Sequence, residues 1–222
     1  MNRNRAWGLG WKVALLGLVL GTGFGCGPST LWHLWKGEQD KNAEYPLTPP
    51  PGKKEVTVAI SVTSQHGIPA GVDLDLASKI GSQLKVISEA NKGTTIKVID
   101  QTKVNNFVAN DPSRWTLGNP GQFAQRVGAD YWIDVSVLTY NLMDKEFGNE
   151  ICRGSATLEV RVFEAGETAP KYQYPLVSQA VVRPNDVSQK NIYQNKYLGQ
   201  LATEVVFKHV NYKADQERAL MK

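Results

Sequence analysis

Valine and isoleucine take every second place in EVTVAISV, residues 55–62, so that Val56, Val58 and Ile60 share one side. A period of two is that of a strand with one buried face. Gly67, Pro69 and Gly71 interrupt it, and Val72, Leu76, Ile80, Leu84 and Ile87 then recur at helical spacing through about Ala90. Asn91-Lys92-Gly93 ends that helix, TTIKVI (94–99) supplies a β-branched strand, and Asp100 opens a short helix carrying Val104, Phe107 and Val108. Strand, helix, strand predicts a βαβ unit with parallel strands and a right-handed crossover. Phe123, Ala124 and Val127 mark a further helix that stops at Gly128.

The period returns to two over two long segments, Tyr131 to Leu142 and Cys152 to Glu164, joined through Gly148 and Asn149. Ile133, Val135 and Val137 share a face of the first; Ala156, Leu158, Val160 and Val162 share a face of the second. They predict an antiparallel hairpin, each strand with one buried and one polar side. A third strand, about Gln173 to Val182, extends the meander, and a helix of about Ile192 to Val210 repeats Leu198, Leu201, Ala202, Val205 and His209. The fold class is α/β (α+β): a mixed sheet with a βαβ unit, a three-stranded antiparallel meander and a C-terminal helix. The expected domain is 55–212, followed by a polar tail, 213–222.

What precedes the domain reads differently. Arg3, Arg5 and Lys12 form a cationic head, and no charge occurs from Val13 to Gly25, the layout of a bacterial secretory signal. The core from Val13 to Phe24 is shorter than the roughly 17–25 residues a spanning helix needs. Gly25-Cys26 resembles the end of a lipoprotein signal, which makes Cys26 the candidate lipidation site. The uncharged run also continues to Trp35, so an uncleaved span flanked by Trp7, Trp11, Trp32 and Trp35 stays open, as does plain cleaved secretion. All three readings put the rest of the chain outside the cytoplasm. Residues 1–25 are thus a signal or anchor segment, and 26–54, with Pro46, Pro49, Pro50 and Pro51, a membrane-proximal linker expected to stay extended.

The formal net charge of +4 invites an anionic partner until the anchor is subtracted. Residues 1–25 take three of the 25 basic residues and none of the 21 acidic ones, which leaves a nearly neutral exported part. No cluster denser than Lys53-Lys54 replaces them, so nucleic acid is a poor partner. Two cysteines, Cys26 and Cys152, supply no disulfide or metal framework, and stability has to come from a packed core.

The run VIDQTKVNNFVAND (98–111) followed by RVGADYWIDVSVLTYNL (126–142) resembles a bacterial envelope family: the curli-secretion and penicillin-binding-protein-activator lipoproteins and, more distantly, the TolB amino-terminal domain. The chain also resembles uncharacterised lipoproteins with the same layout and an Ala43-Glu44-Tyr45 linker. The resemblance spans roughly Lys54 to Val210 and implies an α/β domain serving assembly or regulation, with no catalytic site to carry over.

The chemistry-bearing residues are sparse. His33, His66 and His209 lack a second ligand at metal-site spacing. Ser64 and His66, near Asp73, invite a triad, yet nothing supplies a nucleophile turn or oxyanion loop. Asp130 and Asp134 share one side of a strand and read as a solvated sheet face; Asp73 and Asp75 read as complements to a helix dipole. Cys152 reads as a small buried hydrophobe. No catalytic residue, metal or cofactor is expected. The expected function is a non-enzymatic, membrane-anchored domain of the cell envelope that binds an envelope protein or associates with itself, the alternative being an extracytoplasmic hydrolase. Trp132 and Arg161 lie opposite the apolar positions of their strands; either the final helix or the Trp115 loop covers Trp132, or with Tyr140 the two make the candidate partner-binding patch, since tryptophan, tyrosine and arginine dominate binding hot spots.

Overall fold

A computed structural model of the chain describes residues 40–65, 67–90, 94–110, 119–142, 152–182, 190–214 and 216. Its elements are β1 (Asp40–Lys41), β2 (Glu55–Ser64), α1 (Val72–Ala90), β3 (Thr95–Val98), α2 (Gln101–Asn110), α3 (Pro120–Val127), β4 (Tyr131–Asn141), β5 (Cys152–Glu164), β6 (Tyr172–Val182), α4 (Lys190–Phe207) and β7 (Tyr212–Lys213). Five strands form one mixed sheet in the order β3-β2-β4-β5-β6. β3 and β4 run parallel to β2 on either side of it, while β4, β5 and β6 are antiparallel neighbours. The expected mixed α/β class, parallel unit, meander and terminal helix are all present.

The helices divide between the two faces. Val56, Val58, Ile60, Ile133, Val135, Val160 and Val162 pack against α1 and α4 in the main core. Ala59, Trp132 and Phe163, from the alternate positions, pack against α2 and α3 in a smaller second core. The parallel connections explain this split, because β2 reaches β3 over one face and β3 reaches β4 over the other. α3 starts on an Asn119 cap that accepts from the Gly121 N–H at 2.9 Å, with Pro120 in the first turn, and ends on left-handed Gly128. Its entry leaves no room for a side chain at Gly121, where a Cβ would lie 2.0 Å from the Glu167 carbonyl oxygen.

The domain boundary differs from the expectation. Asp40–Lys222 form a compact unit, so the domain takes in most of the supposed linker. Leu47 is buried in the main core, the Tyr45 N–H donates to the Lys208 carbonyl at 2.7 Å, and the Leu47 N–H donates to the His209 carbonyl at 3.2 Å. β1 pairs antiparallel with β7. Proline richness barred this segment from the main sheet, but its tyrosine and leucine side chains were free to bury apolar surface against the domain. Cys26, His33 and His66 lie outside the described residues, as does the side chain of Cys152. Among the described residues, no helix is long and apolar enough to cross a membrane.

Candidate functional site

The structure separates the three residues expected to form one patch. Trp132 does lie opposite Ile133, but α2 and α3 cover it: it is fully buried, with ring centroids 6.4 Å from Phe107 and 6.2 Å from Phe123. Tyr140 sits on the other face of the sheet. Leu138 has no partner on β5, and this extra residue in β4 reverses the alternation so that Tyr140 turns towards the main core and packs on Tyr197 at 5.8 Å. Burial pushes the Tyr140 phenol well up from its ordinary range. Arg161 alone remains at the outer surface, and its ring neighbour is Phe163 at 5.9 Å rather than Trp132.

Arg161 instead serves a buried polar chain. The Trp132 indole Nε1 donates to Ser61 Oγ at 2.8 Å, Ser61 Oγ donates to Asp134 Oδ1 at 2.9 Å, and an Arg161 guanidinium nitrogen donates to Asp134 Oδ2 at 2.5 Å. The expectation of a solvated Asp134 is therefore wrong: its side chain is 3% exposed, against 38% for Arg161. Asp130 is buried too, accepting from Lys53 Nζ at 2.6 Å and from the Thr57 N–H at 2.8 Å. The first carboxylate ties β2, β4 and β5 together, and the second fixes the end of the proline-rich segment to the sheet. Both assignments need the third dimension, since the partners are 27 to 77 residues apart.

At the carboxyl ends of the parallel strands, Ser61, Thr63, Ser64, Asp73, Gln101 and Asn105 line an open crevice of about 380 Å3. Strand order reverses here, and such switch points are where open α/β sheets hold ligands. Ser64 and Asp73, weighed as triad members, do meet at this crevice; His66 falls outside the described residues.

The most tightly built polar site was missed by sequence reasoning, which placed His209 on a helix face. His209 follows α4 and is 2% exposed. Its Nδ1 lies 2.9 Å from the Tyr45 carbonyl, which can only accept, so Nδ1 carries the proton; the Nε2 lone pair accepts from the Tyr174 hydroxyl at 2.8 Å. Burial lowers the His209 pKa from 6.5 to about 4 and pushes the Tyr174 phenol up. Tyr45 stacks on Tyr174 at 4.5 Å, and Lys208 pairs with Glu44 beside them, which lowers the Glu44 carboxyl. A lone histidine in a helical period carries no such signal; Tyr45 amid prolines was the available hint of a docked segment.

The last feature is an edge. β6 ends the sheet, its one described strand neighbour being β5. Its eleven residues, YQYPLVSQAVV, include no charge, and Val177 at its midpoint is 69% exposed. Proline has no N–H, so Pro175 must turn its backbone away from β5, and alternation then points residues 173, 177 and 179 to the open edge with it. A groove of about 420 Å3 borders the edge, lined by Pro175 and Val177 on one side and Glu204, Phe207 and Lys208 on the other.

No protein-family model matches the chain, and no curated protein matches it significantly. Similar solved structures include the lipoprotein GNA1162 from Neisseria meningitidis, at 10% identity over 67% of this chain and 99% of that one, with a TM-score of 0.42. They also include the PelC dodecamer from Paraburkholderia phytofirmans, at 11% identity over 68% and 92% with a TM-score of 0.39. A third is the hypothetical protein CT253 from Chlamydia trachomatis, at 15% identity over 74% and 94% with a TM-score of 0.42. Likeness at this level assigns no role.

Proposed function

We propose that the protein is a membrane-tethered, extracytoplasmic and non-enzymatic domain of the bacterial envelope, working in assembly or regulation by pairing its β6 edge with that of a second copy. The sequence supports the tether through its cationic head, uncharged run and Cys26, and the resemblance to curli-secretion and penicillin-binding-protein-activator lipoproteins supports the envelope setting. The observation that carries the association is β6 itself. Exposed strand edges are normally guarded by charge, by proline or by being short, because their free N–H and C=O groups recruit another strand, and of these β6 has Pro175. β6 is long, uncharged and exposes Val177 at its centre. A two-fold axis through Val177 would put like against like with no repulsion, and Pro175 would withhold a single donor from each copy. The edge takes the place of the Trp132, Tyr140 and Arg161 patch as the candidate interface.

The full chain extracted in mild detergent should sediment as a dimer. Val177→Lys, which places charge on the axis, should make it monomeric with little change in melting. A monomeric wild type, or a lysine variant that stays dimeric, overturns the assignment. The hydrolase reading has one observation in its favour, the meeting of Ser64 and Asp73 at the crevice. Labelling of Ser64 by a serine-reactive fluorophosphonate would favour it.

A further inference from the structure

We propose that residues 40–48 form a strap latched to the domain by neutral His209, and that acid releases it, lengthening the tether. Two sets of contacts hold the strap. Backbone bonds join Tyr45 to Lys208 and Leu47 to His209, and the Ala43 N–H donates to Asn211 Oδ1 at 2.8 Å. Side chains add the Tyr45 ring on Tyr174, the Tyr172 hydroxyl donating to the Pro46 carbonyl at 3.3 Å, and the Tyr131 hydroxyl donating to the Thr48 carbonyl at 3.0 Å. His209 lies where strap, β6 and the end of α4 meet, and one ring bonds both the strap and the sheet.

Release by acid follows from the ring's environment. Against it stand Tyr45 from the strap, Tyr174 from β6 and Lys208 from its own segment, with Tyr172 one contact further out on Tyr45 and Glu44 on Lys208. Glu44 is engaged with Lys208, and among the described residues no carboxylate contacts the ring to stabilise an imidazolium. His209 also borders a crevice of about 200 Å3 between the strap residues Pro46, Leu47 and Thr48 and Ser88, Thr94 and Ile96, and no other described residue lining it is titratable. A charged imidazolium is therefore disfavoured while the strap is docked and unpenalised once it is open. The docked pKa is depressed, so the histidine's contribution is complete above about pH 6.5 and falls as pH drops towards about 4. The open-to-docked ratio then rises up to about tenfold per pH unit across that window. Glu44 also loses its ion pair on acidification; Lys208 lowers its docked pKa, so its contribution starts to fall only near the ordinary carboxylate value of 4.5, below most of the histidine's window. Nine freed residues reach about 30 Å at full extension, which sets how far the domain can stand from its anchor.

The reach rests on the tether reading, which fails separately if the chain is not retained in membranes. The latch is tested by hydrogen exchange on the full chain in detergent between pH 7 and pH 4.5, after correction for the intrinsic rate. Protection at the Tyr45 and Leu47 amides should fall by at least tenfold while the Ile99 amide, bonded to the Val58 carbonyl, keeps its protection. Loss at all three together means acid unfolding and overturns the latch, as does protection that holds at all three. His209→Gln, neutral throughout, should flatten the response over the same range. Where that variant fails to fold, Glu44→Gln serves instead: the strap should still open over the wild-type window, and abolition of the response would move the switch to Glu44 and overturn the role of His209.

Discussion

Replacing Arg161 by methionine should unfold the domain more readily than removing the carboxylate it serves. The asymmetry comes from exposure. Asp134 is 3% exposed and Arg161 38%, so after Asp134→Val the guanidinium can hydrate, whereas after Arg161→Met a buried carboxylate keeps Ser61 as its one remaining side-chain partner in the chain of bonds. Stranding a buried charge costs about 3–5 kcal/mol. Asp134→Val strands the Ser61 hydroxyl proton, at about 1–3 kcal/mol. The double variant removes both charges but still strands the Ser61 hydroxyl, so it should cost about 1–3 kcal/mol, as Asp134→Val does alone. It should be more stable than Arg161→Met alone, with a coupling energy of about 3–5 kcal/mol in the cycle, the cost of the stranded carboxylate. Urea melts of residues 40–222 at pH 7 measure all four. Additive single effects, or a larger loss for Asp134→Val than for Arg161→Met, would refute the argument that burial of the carboxylate governs this network.

Two further expectations concern separate parts of the chain. Gly121→Ala forces a methyl group towards the Glu167 and Glu164 carbonyl oxygens, at 2.0 Å and 2.7 Å, and should destabilise the domain by about 1–3 kcal/mol in the same melts, whereas a neutral result would show that α3 docks more loosely than described. If Cys26 carries lipid, Cys26→Ala should abolish labelling by a fatty-acid analogue and leave unprocessed precursor; retained labelling excludes the site.

The elements were legible because hydrophobic period reports burial directly: Val56, Val58 and Ile60 announce β2, and Val72 through Ile87 announce α1. Side chains opposite an apolar face were harder to place, because period distinguishes two faces without saying whether a second layer covers the other one. Trp132 shows this, since α2 and α3 are too short and polar to advertise that they form such a layer. Tyr140 fails for a different reason, a bulge at Leu138 that alternation cannot register. Tyr45 lies in a segment without regular period and His209 at the end of a helical one, 164 residues apart, and their contact belongs to tertiary structure alone. The uncharged run of β6 was visible in the sequence, but its place at the edge followed from strand order.

The association of two copies through β6 is tested most directly by a single cysteine. In an antiparallel pair centred on Val177, the two residues 177 occupy a hydrogen-bonded position about 5.5 Å apart at Cα, within disulfide reach. Residues 173 lie far from each other. With Cys152 replaced by serine, and Cys26 as well where it carries no lipid, Val177→Cys should form a covalent dimer on mild oxidation of native membranes, and Gln173→Cys should not. Equal crosslinking at both positions, or none at Val177→Cys, would contradict the pairing.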